Sequence, residues 1–187
     1  MKKNLWIFVF LFAFVLKMDA QKNDSIIRVT KHYMLDFQKG TVIKFVDKKV
    51  NKIIYYLQSR GIDCSIRTFY NNGGNTYFVV LEPPFVTGGV KSIGIEYSDL
   101  LEVNKAIDKF FKEVDSDCAS DPDYLENKFI TEDGFKIGYY VDKGKAHWFV
   151  DFDISSPSSF LEIKKPYEFA KGLKDVQNEI EKMKNGK

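Results

Sequence analysis

The chain has 187 residues, of which 44% are hydrophobic and 16% aromatic, and its formal net charge at pH 7 is +2. This length suits one domain and is sufficient to bury a hydrophobic core. A charge balance this close to zero argues against the excess of Lys and Arg on one face that binding to nucleic acid or to anionic lipid requires.

The first twenty residues have the layout of a secretory signal peptide. Lys2 and Lys3 form a cationic start, twelve uncharged apolar residues follow from Leu5 to Leu16, and Ala20 offers a small residue for cleavage. The apolar run is shorter than the roughly 20 residues that a membrane-spanning helix needs. Cleavage after Ala20 predicts a periplasmic or secreted protein with no stable membrane span; the alternative is an uncleaved N-terminal anchor.

Cleavage of the signal peptide would leave a neutral mature chain. Loss of residues 1–20 removes three lysines and one aspartate, which leaves 25 basic and 25 acidic side chains. No nucleic acid partner is therefore expected. Residues 21–44 form a leader with only fragments of a hydrophobic period, and the pattern does not define whether it is ordered. Residues 45–187 are predicted to form a single α+β domain.

The first half of this domain is predicted to contain one helix, three strands and a second helix. Apolar residues recur at steps of three and four from Phe45 to Leu57, and Gly61 follows as a stop, which predicts the first helix. An apolar stripe from about Ser98 to Val114 predicts the second helix. Alternating stretches, punctuated by NNGGN and by two prolines, predict strands at residues 62–70, 76–82 and 90–97.

After a polar break at residues 115–123, the plan of three strands and a helix is predicted to repeat. The clearest feature is a hairpin in which apolar residues alternate on both sides of the turn sequence DKGK. The final helix is expected from about Pro166, whose fixed φ suits a first helical turn. The strands are expected at residues 126–131, 135–141 and 146–154.

The predicted order is one helix followed by two βββα-like units, at residues 62–114 and 124–184. Hairpin-connected strands interrupted by helices predict an α+β fold, with antiparallel sheet and helices packed on one face. The two units form a pseudo-repeat, which we treat as a hypothesis of duplication. At the level of fold alone, this order resembles small sheet-and-helix modules that bind other proteins, such as secretion-chaperone-like domains.

The strongest candidate for chemistry is a polar face on the last predicted strand. Asp151 and Asp153 are two residues apart, so both should point to the same face as His147. Two carboxylates and an imidazole could act as acid, base or metal ligands. The alternative is the solvated face of an amphipathic strand, which the same alternation produces.

The polar break contains a second candidate, for binding calcium. Its sequence matches only part of an EF-hand loop, because Ala119 and Ser120 occupy the fifth and sixth positions, where Asp or Asn and then Gly are needed. A solvated connector with local turns is the alternative. The candidate ligands are Asp115, Asp117, Asp121 and Asp123.

Two cysteines, Cys64 and Cys118, remain in the mature chain. An oxidising compartment would allow them to form a disulfide. The alternative is that both are small buried hydrophobic residues, since free cysteine packs well in protein cores.

The sequence contains no nucleophile motif or phosphate-binding motif in a usable frame, and no cofactor is expected. The leading hypothesis is an exported, non-catalytic module that binds a protein or peptide partner. One alternative is a small extracytoplasmic hydrolase or metal-assisted enzyme that uses Asp151, Asp153 and His147. Another is an envelope protein that self-associates through a sheet edge. The pattern does not specify the oligomeric state.

Overall fold

The computed structural model describes residues 44–57, 60–71, 74–83, 92–152 and 160–186. The predicted signal peptide and all but the last residue of the predicted leader lie outside this range. Contacts between Cα atoms gather residues Val42–Lys187 into one compact unit. The described part is α+β, as predicted, with two antiparallel sheets and two helices. The pseudo-repeat of residues 62–114 and 124–184 stays a prediction.

Within the described residues, the first sheet contains five strands: β1 (Lys44–Lys49), β2 (Ile53–Ile54), β3 (Gly61–Asn71), β4 (Gly74–Glu82) and β5 (Ile93–Glu96). The strand order is β1-β3-β4-β5, and β2 also pairs with β3. The core of the sheet is the long hairpin of β3 and β4, in which Ile62, Cys64 and Ile66 alternate with polar residues and are buried. Gly74 opens β4 with φ of 126°, a left-handed conformation that favours glycine.

The described part of the second sheet contains four strands: β6 (Leu125–Ile130), β7 (Lys136–Asp142), β8 (Lys145–Asp151) and β9 (Phe160–Ile163). They lie in the order β6-β7-β8-β9. Lys143 and Gly144 connect β7 to β8 with positive φ angles of 50° and 69°, the conformation of the tight turns that suit hairpins. The hairpin predicted here is therefore confirmed. Strand β9 was not predicted, because four residues are too short to show a period.

Each sheet is followed in the chain by a helix with one buried apolar stripe. Helix α1 (Tyr97–Ala119) contacts β4 and β5 of the first sheet and β6, β7 and β8 of the second. Helix α2 (Pro166–Lys184) has proline in its first turn and packs against α1 and β2. One hydrophobic cluster contains buried residues from both sheets and both helices. Within the described residues, neither helix is long and apolar enough to cross a membrane.

The helix predicted from Phe45 to Leu57 is wrong, because strands β1 and β2 occupy this segment. All six residues of β1 pair with β3. Phe45 and Val46 point to opposite faces of the sheet and are 52% and 45% exposed, so the predicted apolar stripe does not form one buried face. Ile53, by contrast, is fully buried. The β-branched residues of this segment suit extended chain, and pairing with β3 decides its conformation.

Candidate functional site

The structure places His147 and Asp151 on the same face of β8, as predicted, but not close together. They are four residues apart along the strand, which corresponds to about 13 Å. The side chain of Phe149 lies between them on this face. The two polar groups therefore cannot share a proton or a metal ion in this arrangement. Asp153, the third member of the predicted set, lies outside the described residues.

Asp151 and His147 each engage a different neighbour on the outer face of the second sheet. The Lys136 ammonium donates to Asp151 Oδ2 at 2.8 Å, and these side chains are only 21% and 16% exposed. The His147 ring stacks on Tyr140 with centroids 5.0 Å apart. Its Nδ1 lies 3.6 Å from Oε1 of Glu162. This arrangement fits a polar, partly aromatic sheet surface.

The four aspartates of the predicted calcium site do not converge. Asp115 and Asp117 still belong to α1, whereas Asp121 and Asp123 lie in the connection to β6. The Tyr139 hydroxyl donates to Asp117 Oδ2 at 2.6 Å, so this carboxylate is engaged within the fold. Across the described ranges, no three His, Cys, Asp or Glu side chains are grouped so as to hold a metal ion.

The contact of Asp117 belongs to a polar network that the sequence analysis missed. The Asn127 amide donates to the Tyr139 hydroxyl at 3.3 Å and to Glu113 Oε2 at 3.0 Å, which ties the end of α1 to the second sheet. Burial, followed by the hydrogen bond to Asp117, raises the pKa of Tyr139. The hydroxyl therefore stays protonated near neutral pH and acts as a donor. A tyrosine at a buried strand position was the available signal, since its hydroxyl needs a partner.

Cys64 and Cys118 are both free cysteines in the structure, and their pairing stays a prediction. Cys64 lies in β3 of the first sheet, whereas Cys118 lies near the end of α1. The Cys118 carbonyl faces Gly144, in the β7–β8 turn of the second sheet. Cys64 thus belongs to the first sheet, whereas the backbone of Cys118 lies beside the second. Desolvation by burial raises the pKa of Cys64 to about 12, which keeps this thiol protonated and unreactive at neutral pH.

The raised pKa of Cys64 predicts a pH-dependent loss of stability. The folded state favours the neutral thiol. The contribution of Cys64 to the free energy of unfolding is therefore complete below the unfolded pKa of 9.0 and is lost as the pH rises towards 12. In Cys64→Ala, the free energy of unfolding should therefore fall less steeply with pH between these two values. The slope should be smaller than in the wild type by up to about 1.4 kcal/mol per pH unit. Urea titrations at several pH values measure this slope. Ile62→Val, a non-titrating control in the same strand, should lower stability equally at every pH; an equal slope in the wild type and Cys64→Ala would contradict the prediction.

A groove of about 420 Å³ lies between the β1–β2 connection and one side of α2. Gly172 allows the close approach of these elements, because a Cβ atom there would lie 3.0 Å from Cγ2 of Ile53. Val50 and Val176 contribute apolar surface to the lining. The remaining lining is strongly polar and includes four lysines and two carboxylates: Lys48, Lys49, Lys52, Lys182, Asp175 and Glu179.

One carboxylate of the groove bridges its two walls. Glu179 Oε1 accepts from Lys48 at 2.6 Å, and its other oxygen lies 3.4 Å from the Lys182 ammonium. The hydrogen bond from Lys48 lowers the pKa of Glu179, so this group is ionised at neutral pH. Asp175 pairs outside the groove, with Lys171 at 2.6 Å. The lysines of the lining therefore outnumber the carboxylates that neutralise them.

Lys49 strengthens the positive character of the groove, because it has no acidic partner within the described part of the chain. Lys52 pairs with Asp63 at 3.0 Å, but both side chains are largely exposed and the pair is screened by water. The sequence analysis missed this site because residues 45–57 were assigned to a helix. The available signal was the run KKVNK at residues 48–52. No protein-family model, curated protein or solved structure matches this chain.

Proposed function

We propose that this protein is an exported, non-catalytic module that binds a protein or peptide partner through the groove beside α2. The observation that carries the proposal is the groove itself, which is open, polar and lined from two elements far apart in the chain. Pockets that take part in recognition combine apolar surface with a few fixed polar groups. Val50 and Val176 provide the apolar surface, and the lysines provide the polar groups.

The neighbouring strand β1 supports a partner of polypeptide nature. All six of its residues are exposed. Within the described residues β1 pairs only with β3, so its other edge has backbone groups that an added strand can use. An edge next to a groove offers both main-chain hydrogen bonds and side-chain contacts. The predicted signal peptide supports a location in the periplasm or the medium, where such a module would meet its partner.

The enzyme alternative receives less support from the geometry. It needs His147 and Asp151 to act together, and these residues are separated by the buried side chain of Phe149. The Lys136–Asp151 ion pair also engages this carboxylate with the neighbouring strand, which suits a structural contact.

Site-specific photo-crosslinking in the native host tests the proposal. A photoreactive amino acid at Asn51, an exposed residue of the groove, should give one discrete crosslinked product. The same amino acid at Lys145, an exposed position on the second sheet, should give none. Absence of a product at Asn51, or equal products at both positions, would contradict the proposal. A product with the mass of a dimer would instead establish self-association.

A further inference from the structure

The lysines of the groove continue a basic edge that begins in β1. This strand, KFVDKK, contains Lys44, Lys48 and Lys49. Its one acidic residue, Asp47, is engaged by Arg67 of β3 through two hydrogen bonds of 2.7 Å. The hydrogen bond from Arg67 lowers the pKa of Asp47, so the two opposite charges form a stable pair. The edge therefore presents excess positive charge although the mature chain is neutral overall.

Positive charge at a sheet edge acts selectively. Lysines on an exposed edge disfavour pairing with neutral or basic strands, which protects a protein from indiscriminate aggregation. The same charges favour an extended segment that brings carboxylates. Six residues of β1 extend for about 20 Å, enough to pair with a short extended peptide. The backbone of this edge can thus pair with an added strand, and its lysines favour a strand that contains acidic residues.

Glu179 shows how a carboxylate is held in this groove. Its two oxygens contact Lys48 of β1 and Lys182 of the same helix. Lys49 also lines the groove, has no acidic partner within the described ranges and can receive a second carboxylate. Val50 and Val176 belong to the same lining and can receive an apolar side chain.

We propose that the groove and the edge of β1 that points away from β3 bind an extended acidic segment of the partner protein, an inference that rests on the function proposed above. The segment pairs with β1 through its main chain. Its carboxylates contact Lys49 and Lys52, and a less polar residue between them lies against Val50. Electrostatic attraction supplies selectivity, so salt weakens the complex.

Fluorescence polarisation with the full mature chain tests this inference. The probe is a labelled octapeptide in which glutamate alternates with threonine, and the matched control has glutamine in place of every glutamate. We expect binding of the acidic probe at low salt, at least about tenfold weaker binding in high salt, and no binding of the glutamine peptide. Equal binding of both peptides, or no binding of the acidic one, would overturn the inference.

A pair of charge-matched variants locates the contact. Lys49→Glu with Lys52→Glu should weaken binding of the acidic peptide at least about tenfold. Lys143→Glu with Lys145→Glu changes the charge equally at the β7–β8 turn and should leave binding unchanged. Thermal melts of both variants establish that each is folded; equal losses of binding in the two folded variants would contradict the inference.

Two further outcomes separate this inference from the proposed function. A single-stranded oligonucleotide that competes as well as the acidic peptide would indicate general binding of polyanions and overturn the assignment to a peptide. A crosslink at Asn51 without affinity for the acidic peptide would overturn only the acidic character of the segment. Absence of that crosslink would contradict the proposed binding site itself.

Discussion

Replacing Phe110 by alanine is expected to lower the free energy of unfolding by about 3–5 kcal/mol. The side chain is only 3% exposed, and its ring meets Tyr139 edge-to-face with centroids 5.8 Å apart. Trp148, the cross-strand neighbour of Tyr139, lies 6.3 Å from the same ring. Loss of the ring removes buried apolar area and leaves a cavity between α1 and the second sheet.

Denaturant titration followed by tryptophan fluorescence measures this effect, because Trp148 is the one tryptophan of the predicted mature chain. Phe45→Ala is the matched control, since Phe45 is 52% exposed and should cost less than about 1 kcal/mol. Equal losses in the two variants would mean that the contact between α1 and the second sheet contributes little to stability.

Gly138→Ala is expected to destabilise the protein by about 3 kcal/mol, at the upper end of the range for overpacking. A Cβ atom at this position would lie 2.2 Å from the carbonyl oxygen of Asn127 and 2.8 Å from Cα of Lys128. Both neighbours are backbone atoms of β6, so a side-chain rotation cannot relieve the clash. The β6–β7 pairing must shift or separate.

Hydrogen exchange locates this change, because amides of β6 should lose protection while those of β3 and β4 keep it. Lys145→Ala, at an exposed position of β8, is the control and should change stability by less than about 0.5 kcal/mol. Wild-type protection of β6 in Gly138→Ala would contradict the prediction.

Strong local patterns predicted much of the second half of the fold. The β7–β8 hairpin has long alternation and a turn with glycine in the left-handed region, and α2 has a regular apolar stripe that ends in Ile180. Each of these signals is formed by residues that are close together in the sequence. The segment from Phe45 to Leu57 contains two short strands whose conformation depends on β3, and local spacing cannot supply that information.

The candidate site depended even more on distant contacts. Lys48 and Glu179 are 131 residues apart in sequence, so no local motif brings them together. Period-two alternation correctly placed His147 and Asp151 on one face of a strand. It did not show that Phe149 separates them, or that Lys136 engages Asp151, because those facts depend on the register between β7 and β8.

The contact between Gly172 and Ile53 has a consequence for the order in which the chain folds. Strand β2, near the start of the described residues, is covered by α2, the last element of those residues. Closure of such a large loop is slow, because chain entropy is lost before the contact forms. The core therefore cannot be completed until α2 has left the ribosome. If the chain is exported as proposed, this late closure would keep the polypeptide unfolded while it crosses the membrane.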